Sequence, residues 1–387
     1  MSPAETLTAQ LERLAAFEPA PYPVISVYLN TQPGQHGRDQ YQAFIRKEFK
    51  ARSRTYRSNS PERESLDRDM ERIARYLETE LQPSSNGVAI FACSAGELFE
   101  TVQMAAPIDR HWLHIGDQPH LYPLARLESQ YPRYAAVVTD TNSARIFVFA
   151  AGQVVKEHEI NNVKTRATSQ GGWSQARYQR HIVNFHEQHA KEVADMLDRI
   201  VRDEGIEHVV LSCDEASLPL LRSQLPKHLE AKIVDNVRLE PHPSVDAIVR
   251  RTQEAMRRLD ERTDREKVEA AIGAYRAGGL GVVGPEDTLA ALQKGQVDEL
   301  LVTASMQQMQ GVPLGKAIGS ANDTILAEPV VETASAGEAA ESSPEVVRLA
   351  DELITRTTQT AAKITFIEDA ELLKDYGGVA ALLRFTI

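Results

Sequence analysis

Two apolar runs in the first third of the chain enclose a long charged stretch. Residues 24–29 alternate between apolar and polar positions, and residues 87–93 are almost continuously apolar, so both predict strands with a buried face. Residues 38–81 between them repeat with the period of an α-helix. The large side chains on the predicted inner face are Phe44, Phe49, Met70, Ile73 and Leu77. This order predicts an N-terminal α/β domain over residues 1–130, which ends in the proline-containing stretch 119–132.

The pattern changes after residue 131, where strand signals come in close succession before long helical signals appear. Strands are predicted at 135–139, 145–150, 154–160, 208–212 and 232–234, and helices at 174–204, 217–224 and 244–275. The polar turn at 140–143 is typical of a hairpin. Residues 161–172 are polar, carry Gly-Gly and lack periodicity, so we expect a loop, which with the following helix start forms the Gly-Gly region 161–177. The alternation predicts an α/β middle domain over residues 131–276.

The last part of the chain has a third cycle of helices and strands. Helices are predicted at 286–294, 344–361 and 370–374, and strands at 299–303, 363–367 and 379–386. Pro285 fits the first turn of a helix, where its missing N–H leaves no intrahelical bond unmade. Residues 328–343 hold few bulky apolar side chains and predict a flexible insertion. We therefore predict a C-terminal α/β domain over residues 277–387.

Length and composition set the class of protein. The 387 residues suffice for two or three domains, and 42% hydrophobic with 25% charged residues is ordinary for a globular protein. The two cysteines, Cys93 and Cys213, exclude a disulfide framework and a paired-cysteine zinc motif, and they favour a reducing cytosol. Residues 1–20 lack the pattern of a signal peptide, and no run of about 18 apolar residues is present. We expect a cytoplasmic protein without a membrane span.

Charge is unevenly distributed along the chain. The formal net charge of −12, from 43 basic and 55 acidic residues, argues against a protein that coats nucleic acid. Basic residues nevertheless cluster, which is how an acidic protein can contact RNA locally. The two clusters are Arg46, Lys47, Lys50, Arg52, Arg54 and Arg57, and then Lys164, Arg166, Arg177 and Arg180. We interpret both as candidate RNA contacts; for the first cluster, a solvated helix face is the alternative.

Three sequence blocks resemble one known superfamily. Residues 171–180, Gly-Gly-Trp-Ser-Gln-Ala-Arg-Tyr-Gln-Arg, resemble the Gly-Gly-Gln loop and following helix start of archaeal and eukaryotic class-1 peptide chain release factors. Residues 284–289, Gly-Pro-Glu-Asp-Thr-Leu, resemble the start of their third domain, and residues 376–385, Tyr-Gly-Gly-Val-Ala-Ala-Leu-Leu-Arg-Phe, resemble its end. The blocks occur in family order, and the chain looks most similar to the bacterial branch. The peptidyl-tRNA hydrolase of eukaryotic ribosome quality control is similar in plan.

The resemblance implies a fold, an activity and partners. The fold would add an RNase H-like middle domain and a pelota-like C-terminal domain to the N-terminal α/β domain. The activity would be hydrolysis of the peptidyl-tRNA ester in ribosome rescue or translation quality control, with ribosomal RNA and peptidyl-tRNA as partners. A translational GTPase would be a further partner through the C-terminal domain. We expect a monomer that needs neither a cofactor nor a metal.

The Gly-Gly segment carries the chemistry that the resemblance implies. Hydrolysis of an ester by water needs a positioned water and a donor for the developing oxyanion, and no charged nucleophile. Gly171 and Gly172 would let the backbone approach the terminal ribose, and the amide of Gln175 would orient the water, so these three residues are the candidate catalytic set. The candidate RNA contacts around them are a stacking Trp173 and the cations Lys164, Arg166, Arg177 and Arg180.

Two departures from the family pattern bear on activity. Trp173 follows Gly-Gly where release factors have Gln, and Gln175 comes two residues later. The first domain lacks the Asn-Ile-Lys-Ser and Tyr-x-Cys-x-x-x-Phe segments that decoding members use for stop codons, so stop-codon reading is not predicted. A ribosome-binding hibernation or stress factor without hydrolysis is therefore the alternative function. A metal-dependent RNA nuclease is a third, weaker hypothesis, because only Asp140 and Asp214 stand at suitable predicted strand ends.

Three further patterns are interpreted as structural. His186 and His189 are three residues apart, whereas the His-Glu-x-x-His zinc motif places its histidines four apart. Residues 279–284 match Gly-x-Gly-x-x-Gly but follow no convincing strand, so a domain hinge is favoured over a dinucleotide site. Cys213 at a predicted strand end is interpreted as a structural cysteine.

Overall fold

In the computed structural model, the chain divides into two compact units. One unit combines residues 1–130 with residues 263–387, and the other comprises residues 131–262. The residues that the structure describes are 7–19, 21–32, 40–104, 106–161, 174–240, 243–311 and 343–385, with 40 and 174–182 described by their backbone alone. No helix within these ranges is long and apolar enough to span a bilayer.

Four antiparallel strands form the sheet of the N-terminal part. They are β1 (Val24–Asn30), β2 (Gly87–Cys93), β3 (Leu98–Met104) and β4 (Trp112–Gly116). Their order is β3-β2-β1-β4, so that Ile25 of the central strand lies opposite Ala92 on one side and Ile115 on the other. The helices of this part are α1 (Leu7–Ala15), α2 (Gln40–Ser53), α3 (Pro61–Thr79) and α4 (Tyr122–Gln130). Both strands predicted here from the sequence are confirmed.

Helices α2 and α3 pack against this sheet because each carries an inward stripe at helical spacing. The buried positions of α2 are Tyr41, Phe44, Ile45, Glu48, Phe49 and Arg52, and those of α3 include Leu66, Met70, Ile73 and Leu77. Their apolar members share one core with Val27 and Ile90 of the sheet. Ser60 begins α3 by accepting the N–H of Arg63. The five side chains predicted to mark the inner face are all buried.

Five strands form the sheet of the second unit. They are β5 (Tyr134–Thr139), β6 (Ser143–Ala150), β7 (Gln153–Asn161), β8 (His208–Cys213) and β9 (Ile233–Asn236), in the order β7-β6-β5-β8-β9. The first three form an antiparallel meander, whereas β8 pairs in parallel with both β5 and β9. The helices are α5 (Ser174–Asp203), α6 (Ser217–Gln224), α7 (Lys227–Glu230) and the first part of α8 (Val245–Arg276). This mixed topology fits the RNase H-like middle domain that the resemblance implied.

Both faces of the five-stranded sheet are covered by helices. On one face, Val137 and Ile146 pack with Val193 and Leu197 of α5. On the other face, Phe147 and Phe149 pack with Ile248 and Met256 of α8. Because the central strands are buried on both sides, their apolar runs are nearly continuous in the sequence.

Four strands form the sheet of the C-terminal part. They are β10 (Gly281–Val283), β11 (Val297–Thr303), β12 (Lys363–Ile367) and β13 (Val379–Leu383), in the order β10-β13-β11-β12. β11 and β12 are parallel, and β13 is antiparallel to both of its neighbours. The helices are α9 (Pro285–Gln293) and α10 (Pro344–Gln359). Pro285 occupies the first turn of α9, as predicted.

Some sequence predictions for this part differ from the structure. The glycine-rich segment 279–284, predicted as a hinge, contains β10, which pairs with β13 and so belongs to the sheet. Residues 370–374 form short 3-10 turns rather than an α-helix. The flexible insertion predicted at 328–343 lies, apart from Ser343, outside the described residues. The division between the two compact units falls after residue 262, inside α8.

A buried carboxylate connects the N-terminal and C-terminal parts of the first unit. Asp351 of α10 accepts hydrogen bonds from the backbone N–H groups of Leu121 and Tyr122, at 2.9 and 3.1 Å, where α4 begins. The same carboxylate lies 2.7 Å from Nδ1 of His120, and the backbone N–H of His120 donates to the hydroxyl of Ser26 in β1. Acids are stabilising at helix N-termini because they satisfy exposed N–H groups. Asp351 therefore joins α10 to α4 and to the N-terminal sheet.

This carboxylate should be a principal determinant of the stability of the first unit. Asp351→Ala leaves two buried N–H groups and His120 without their acceptor, so we expect it to lower the free energy of unfolding by about 3–5 kcal/mol. Arg348→Ala, on the same helix, removes only the exposed 3.6 Å ion pair with Asp117 and should cost below about 1 kcal/mol. Urea denaturation of both variants measures the difference. Equal, small effects would show that Asp351 does not hold the two parts together.

His114 of β4 is buried beside His120 and makes the stability of the first unit depend on pH. Burial, with a smaller contribution from nearby His120, lowers the pKa of His114 to about 3. Between pH 3 and its ordinary value near 6.5, the unfolded chain therefore binds a proton that the folded chain does not. The folded state loses stability as pH falls through this window, by up to about 1.4 kcal/mol per pH unit.

We expect His114→Gln to remove this contribution. The free energy of unfolding of wild type minus that of the variant should stay constant above about pH 7.5. It should fall between pH 6.5 and 5, because only wild type loses the contribution of His114. Urea denaturation at several pH values measures it. If the two proteins show the same pH dependence, His114 is not held neutral by its surroundings.

Candidate functional site

Of the Gly-Gly region, the structure describes only the two ends, which are the last residue of β7 and the first turns of α5. Lys164, Arg166, Gly171, Gly172 and Trp173 lie outside the described residues. Gln175, Arg177 and Arg180 belong to the first turns of α5, with their backbone described and their side chains outside the description. The helix begins at Ser174, directly after Gly-Gly-Trp, which confirms the helix start predicted from the sequence. The segment therefore leads from the end of β7 to the N-terminus of a 30-residue helix.

The described side chains of helix α5 are buried mainly in its C-terminal half. Among its described side chains, burial begins at His189 and continues through Val193, Leu197 and Ile200, whereas residues 183–188 are exposed or half-exposed. Val183 is 50% exposed although it is a large apolar residue. At about 1.5 Å per residue, Ser174 lies roughly 22 Å along the axis from His189. The Gly-Gly segment is thus attached to a helix start that is distant from the first buried described position.

The far end of α5 is fixed to the sheet by a polar contact. Glu204, directly after the helix, accepts hydrogen bonds from Arg133 beside β5 and from Lys156 of β7. Burial alone would raise the pKa of Glu204, but these two cations outweigh it and lower the pKa. The carboxylate is therefore ionised at neutral pH and ties the helix to the strand that leads into the Gly-Gly segment.

The first basic cluster lies on α2 and on the turn after it. The side chains of Arg46, Lys47, Lys50 and Arg54 are exposed, and the first three are spaced so that they share the outer face of the helix. The guanidinium of Arg46 donates to Gln42 at 3.2 Å. Because these four side chains are exposed, they remain candidate RNA contacts.

Arg52 does not belong to this exposed surface. Its side chain is 9% exposed and lies 3.8 Å from the buried carboxylate of Glu48. The reason is positional, because residues 41, 44, 45, 48, 49 and 52 follow one helical stripe that faces the core. The expectation that Arg52 contacts RNA is corrected accordingly.

The residues considered for nuclease or thiol chemistry, Asp140, Asp214 and Cys213, have local structural roles. Oδ1 of Asp140 accepts the N–H groups of Asn142 and Ser143 in the β5–β6 turn, and Oδ1 of Asp214 accepts that of Ser217 at the start of α6. Burial, aided by the neighbouring charge of Asp214, raises the pKa of the Cys213 thiol to about 12, so it is no thiolate nucleophile at neutral pH. In the described ranges, no three histidine, cysteine or acidic side chains form a group suited to a metal ion.

The first unit contains a cavity that was not predicted from the sequence. It has a volume of about 300 Å³ and is lined by β1, β4, α4 and the turn after β11. Arg110, Trp112 and His114 stand at alternate positions leading into and along β4, which places them on one face of the strand. This alternation of a cation, an aromatic ring and a histidine could have indicated the cavity, but it falls in a segment without strong strand periodicity.

Comparison with known proteins identifies the family. The family described as bacterial archaeo-eukaryotic release factor family 10 matches residues 119–258, and the third domain of eukaryotic release factor 1 matches residues 264–387. The two matches adjoin at the place in α8 where the compact units divide. They account for the middle and C-terminal domains.

Individual relatives resemble longer stretches of the chain. The peptide chain release factor subunit 1 of Archaeoglobus fulgidus is 20% identical over 336 residues, covering 82% of each chain. An uncharacterized protein of Mycobacterium tuberculosis is 26% identical over 296 residues, covering 70% of this chain and 71% of its own. Among solved structures, Dom34 of Saccharomyces cerevisiae, a translation termination-like factor, covers 78% of this chain and 79% of its own at 9% identity and a TM-score of 0.44.

The family matches follow the order of the sequence blocks and of the two α/β folds described above. Residues 171–180 fall inside the first match, and residues 284–289 and 376–385 fall inside the second. The chain belongs to the bacterial branch of the archaeal and eukaryotic release factor superfamily.

Proposed function

We propose that this protein binds ribosomes in the cytoplasm and hydrolyses the ester of peptidyl-tRNA during ribosome rescue or translation quality control. The observation that carries the proposal is the place of the Gly-Gly segment in the sequence, directly before the start of α5. It precedes a helix that belongs to a release-factor middle domain and whose described side chains become buried only from His189 onward. Such a helix suits the delivery of its N-terminal segment to a distant site. Ribosomal RNA and peptidyl-tRNA are the partners that this function requires.

The proposed chemistry uses the backbone and one amide. Gly171 and Gly172 allow close approach to the terminal ribose because they carry no side chain. N–H groups at the start of α5 are oriented along the helix axis and suit an oxyanion or a phosphate. The amide of Gln175 both donates and accepts, so it is suited to hold the attacking water. Arg177 and Arg180, three residues apart on α5, share a face on which they would contact tRNA or rRNA phosphates.

The exposed cations of α2 supply a second proposed contact with RNA. Arg46, Lys47, Lys50 and Arg54 lie on a part of the chain that neither family match covers, because those matches begin at residue 119. The assignment therefore rests on charge and exposure alone. In a protein with a net charge of −12, a local basic face is the kind of surface that contacts phosphates.

A translational GTPase is the further partner proposed for the C-terminal domain. This assignment rests on the match to the third domain of eukaryotic release factor 1. Within the cell, the proposed active form is a monomer on the ribosome.

The hydrolysis proposal predicts a specific loss on changing one amide. Wild-type protein should accelerate peptide release from stalled ribosome–peptidyl-tRNA complexes, and Gln175→Ala should slow the release step by at least about tenfold because it removes the group that holds the water. Gln188→Ala is the matched control, since Gln188 is an exposed glutamine further along the same helix. Single-turnover release of labelled peptide measures the rates.

Ribosome binding, followed by co-sedimentation in the same samples, separates the alternatives. If wild type binds ribosomes and yet releases peptide no faster than buffer, the hydrolysis proposal is wrong. The non-hydrolytic ribosome-binding factor motivated by Trp173 would then explain the data. If wild type neither binds nor releases, both functions are excluded.

The basic face of α2 predicts a salt-dependent decrease in affinity. Lys47→Ala combined with Lys50→Ala should weaken ribosome binding and reduce the slope of log affinity against log salt by up to about 2, since each lysine would neutralise one phosphate. Arg68→Ala combined with Arg75→Ala removes the same charge from exposed positions of α3 and serves as the control. Binding titrations at several salt concentrations measure both pairs. Equal effects of the two pairs would mean that α2 contributes only net charge.

A further inference from the structure

The cavity of the first unit has the chemistry of a ligand site that the proposed hydrolysis does not use. Its volume of about 300 Å³ is at the lower end of the range for small-molecule pockets. Its aromatic walls come from Tyr28, Trp112 and Tyr122, and its charged lining residues are the cations Arg110 and Arg126 and the exposed carboxylate of Asp109. Both the N-terminal part and the turn at 304–307 of the C-terminal part contribute to it. The buried Asp351 contact holds these elements in place.

Trp112 is held at the centre of an ordered stack. The guanidinium carbon of Arg110 lies 4.1 Å from the centroid of the indole ring. The imidazole of His120 is nearly parallel to the indole, with centroids 6.1 Å apart and planes at 18°. A guanidinium that lies over an indole offers a flat, positively charged surface, which is the kind of surface on which a nucleobase stacks.

The two tyrosines present rings, because their hydroxyl groups are already engaged. The hydroxyl of Tyr28 donates to the carbonyl of His120 at 2.6 Å, and that of Tyr122 donates to the carbonyl of Thr303. Burial raises the pKa of both phenols well above its ordinary value, so they stay neutral. The cavity therefore combines apolar aromatic surface with no competing phenolate charge.

Arg126 is the group suited to an anion. It lines the cavity, its Nε is buried, and within the described part of the chain this atom has no hydrogen-bond partner. Its ion pair with Glu368 is long at 3.6 Å, and the two side chains are 35% and 50% exposed. Such a pair contributes little and can yield to a stronger partner. A phosphate accepts two parallel hydrogen bonds from a guanidinium and is that kind of partner.

We propose that this cavity binds a nucleotide, with the base stacked on the Arg110–Trp112 pair and the phosphate on Arg126. The ligand is a single base with a phosphate, supplied either as a free mononucleotide or as one nucleotide of a single-stranded RNA. A purely apolar ligand would not use the guanidinium of Arg126, which is 35% exposed and held by the long contact with Glu368, and a simple anion would not use the aromatic stack. The inference does not rest on the proposed hydrolysis, which involves other residues.

The two tryptophans of the chain allow a direct test. Trp173→Phe leaves Trp112 as the one remaining indole, so quenching of tryptophan fluorescence reports on this cavity. We expect saturable quenching when adenosine 5′-monophosphate or guanosine 5′-monophosphate is added to the full-length chain. Adenosine lacks the phosphate and inorganic phosphate lacks the base, so each should bind at least about tenfold more weakly than the mononucleotide. A six-nucleotide single-stranded RNA in a parallel titration tests the other source of the ligand.

Variants in the Trp173→Phe background locate the binding. Arg126→Ala should weaken nucleotide binding about tenfold or more, because it removes a charge-assisted hydrogen bond. Arg126→Lys should weaken it less, and Arg75→Ala, an exposed arginine on α3, should change nothing. Glu368→Gln should tighten binding, since it releases Arg126 from its partner. Thermal melting of each variant confirms that the fold is intact.

Three outcomes are distinguished by these titrations. Quenching by mononucleotides that is weakened by Arg126→Ala and strengthened by Glu368→Gln supports a free-nucleotide site. Quenching by the RNA alone, with the same response to the variants, supports an RNA nucleotide as the ligand. Absence of quenching by either, or quenching that responds equally to Arg126→Ala and Arg75→Ala, overturns the proposal.

Discussion

The described side chains of helix α5 are buried mainly from His189 onward, and this burial fixes the helix in the second unit. Val193, Leu197 and Ile200 are buried within the core of the five-stranded sheet, and Glu204 fixes the helix end through Arg133 and Lys156. The described side chains before His189 contribute no comparable burial. A helix needs tertiary packing of one face for most of its stability, so these buried residues are a principal source of the stability of α5.

The first unit depends on a different interaction. A single carboxylate on α10 satisfies the first N–H groups of α4 and contacts His120, so that residues more than two hundred positions apart in sequence share one buried polar cluster. Such groups are costly to bury unless every partner is present. The same cluster places Trp112, Tyr28 and Tyr122 around a cavity. Stability of the unit and shape of the cavity therefore have a common physical origin.

The sequence was most informative where one periodicity acts alone. The apolar stripes of α2 and α3, the β5–β6 hairpin and the start of α5 at Ser174 were all predicted, because local spacing determines them. The burial of Arg52 was also readable in principle, since it continues the stripe of Tyr41, Phe44 and Phe49. Because Arg52 is basic and lies among other basic residues, it was assigned to the RNA-contacting cluster, although its spacing places it on the buried face.

What the sequence did not predict depends on interactions between distant segments. Strand β10 is three residues long and exists because β13, about a hundred residues later, pairs with it. The Asp351–His120 contact and the cavity beside it arise only when the N-terminal and C-terminal parts meet. Local spacing does not determine such features, and the alternation of Arg110, Trp112 and His114 is the one local pattern that points to the cavity. The positions of Gly171, Gly172 and Trp173 lie outside the described residues, so their role still rests on the family resemblance.

The most direct test of the proposed function is a cryo-EM map of this protein bound to a ribosome that carries peptidyl-tRNA. We predict that residues 171–175 lie at the ester between peptide and terminal ribose, with α5 leading to that point from the middle domain. A map in which these residues fold back onto their own domain, away from the tRNA end, would contradict the proposal.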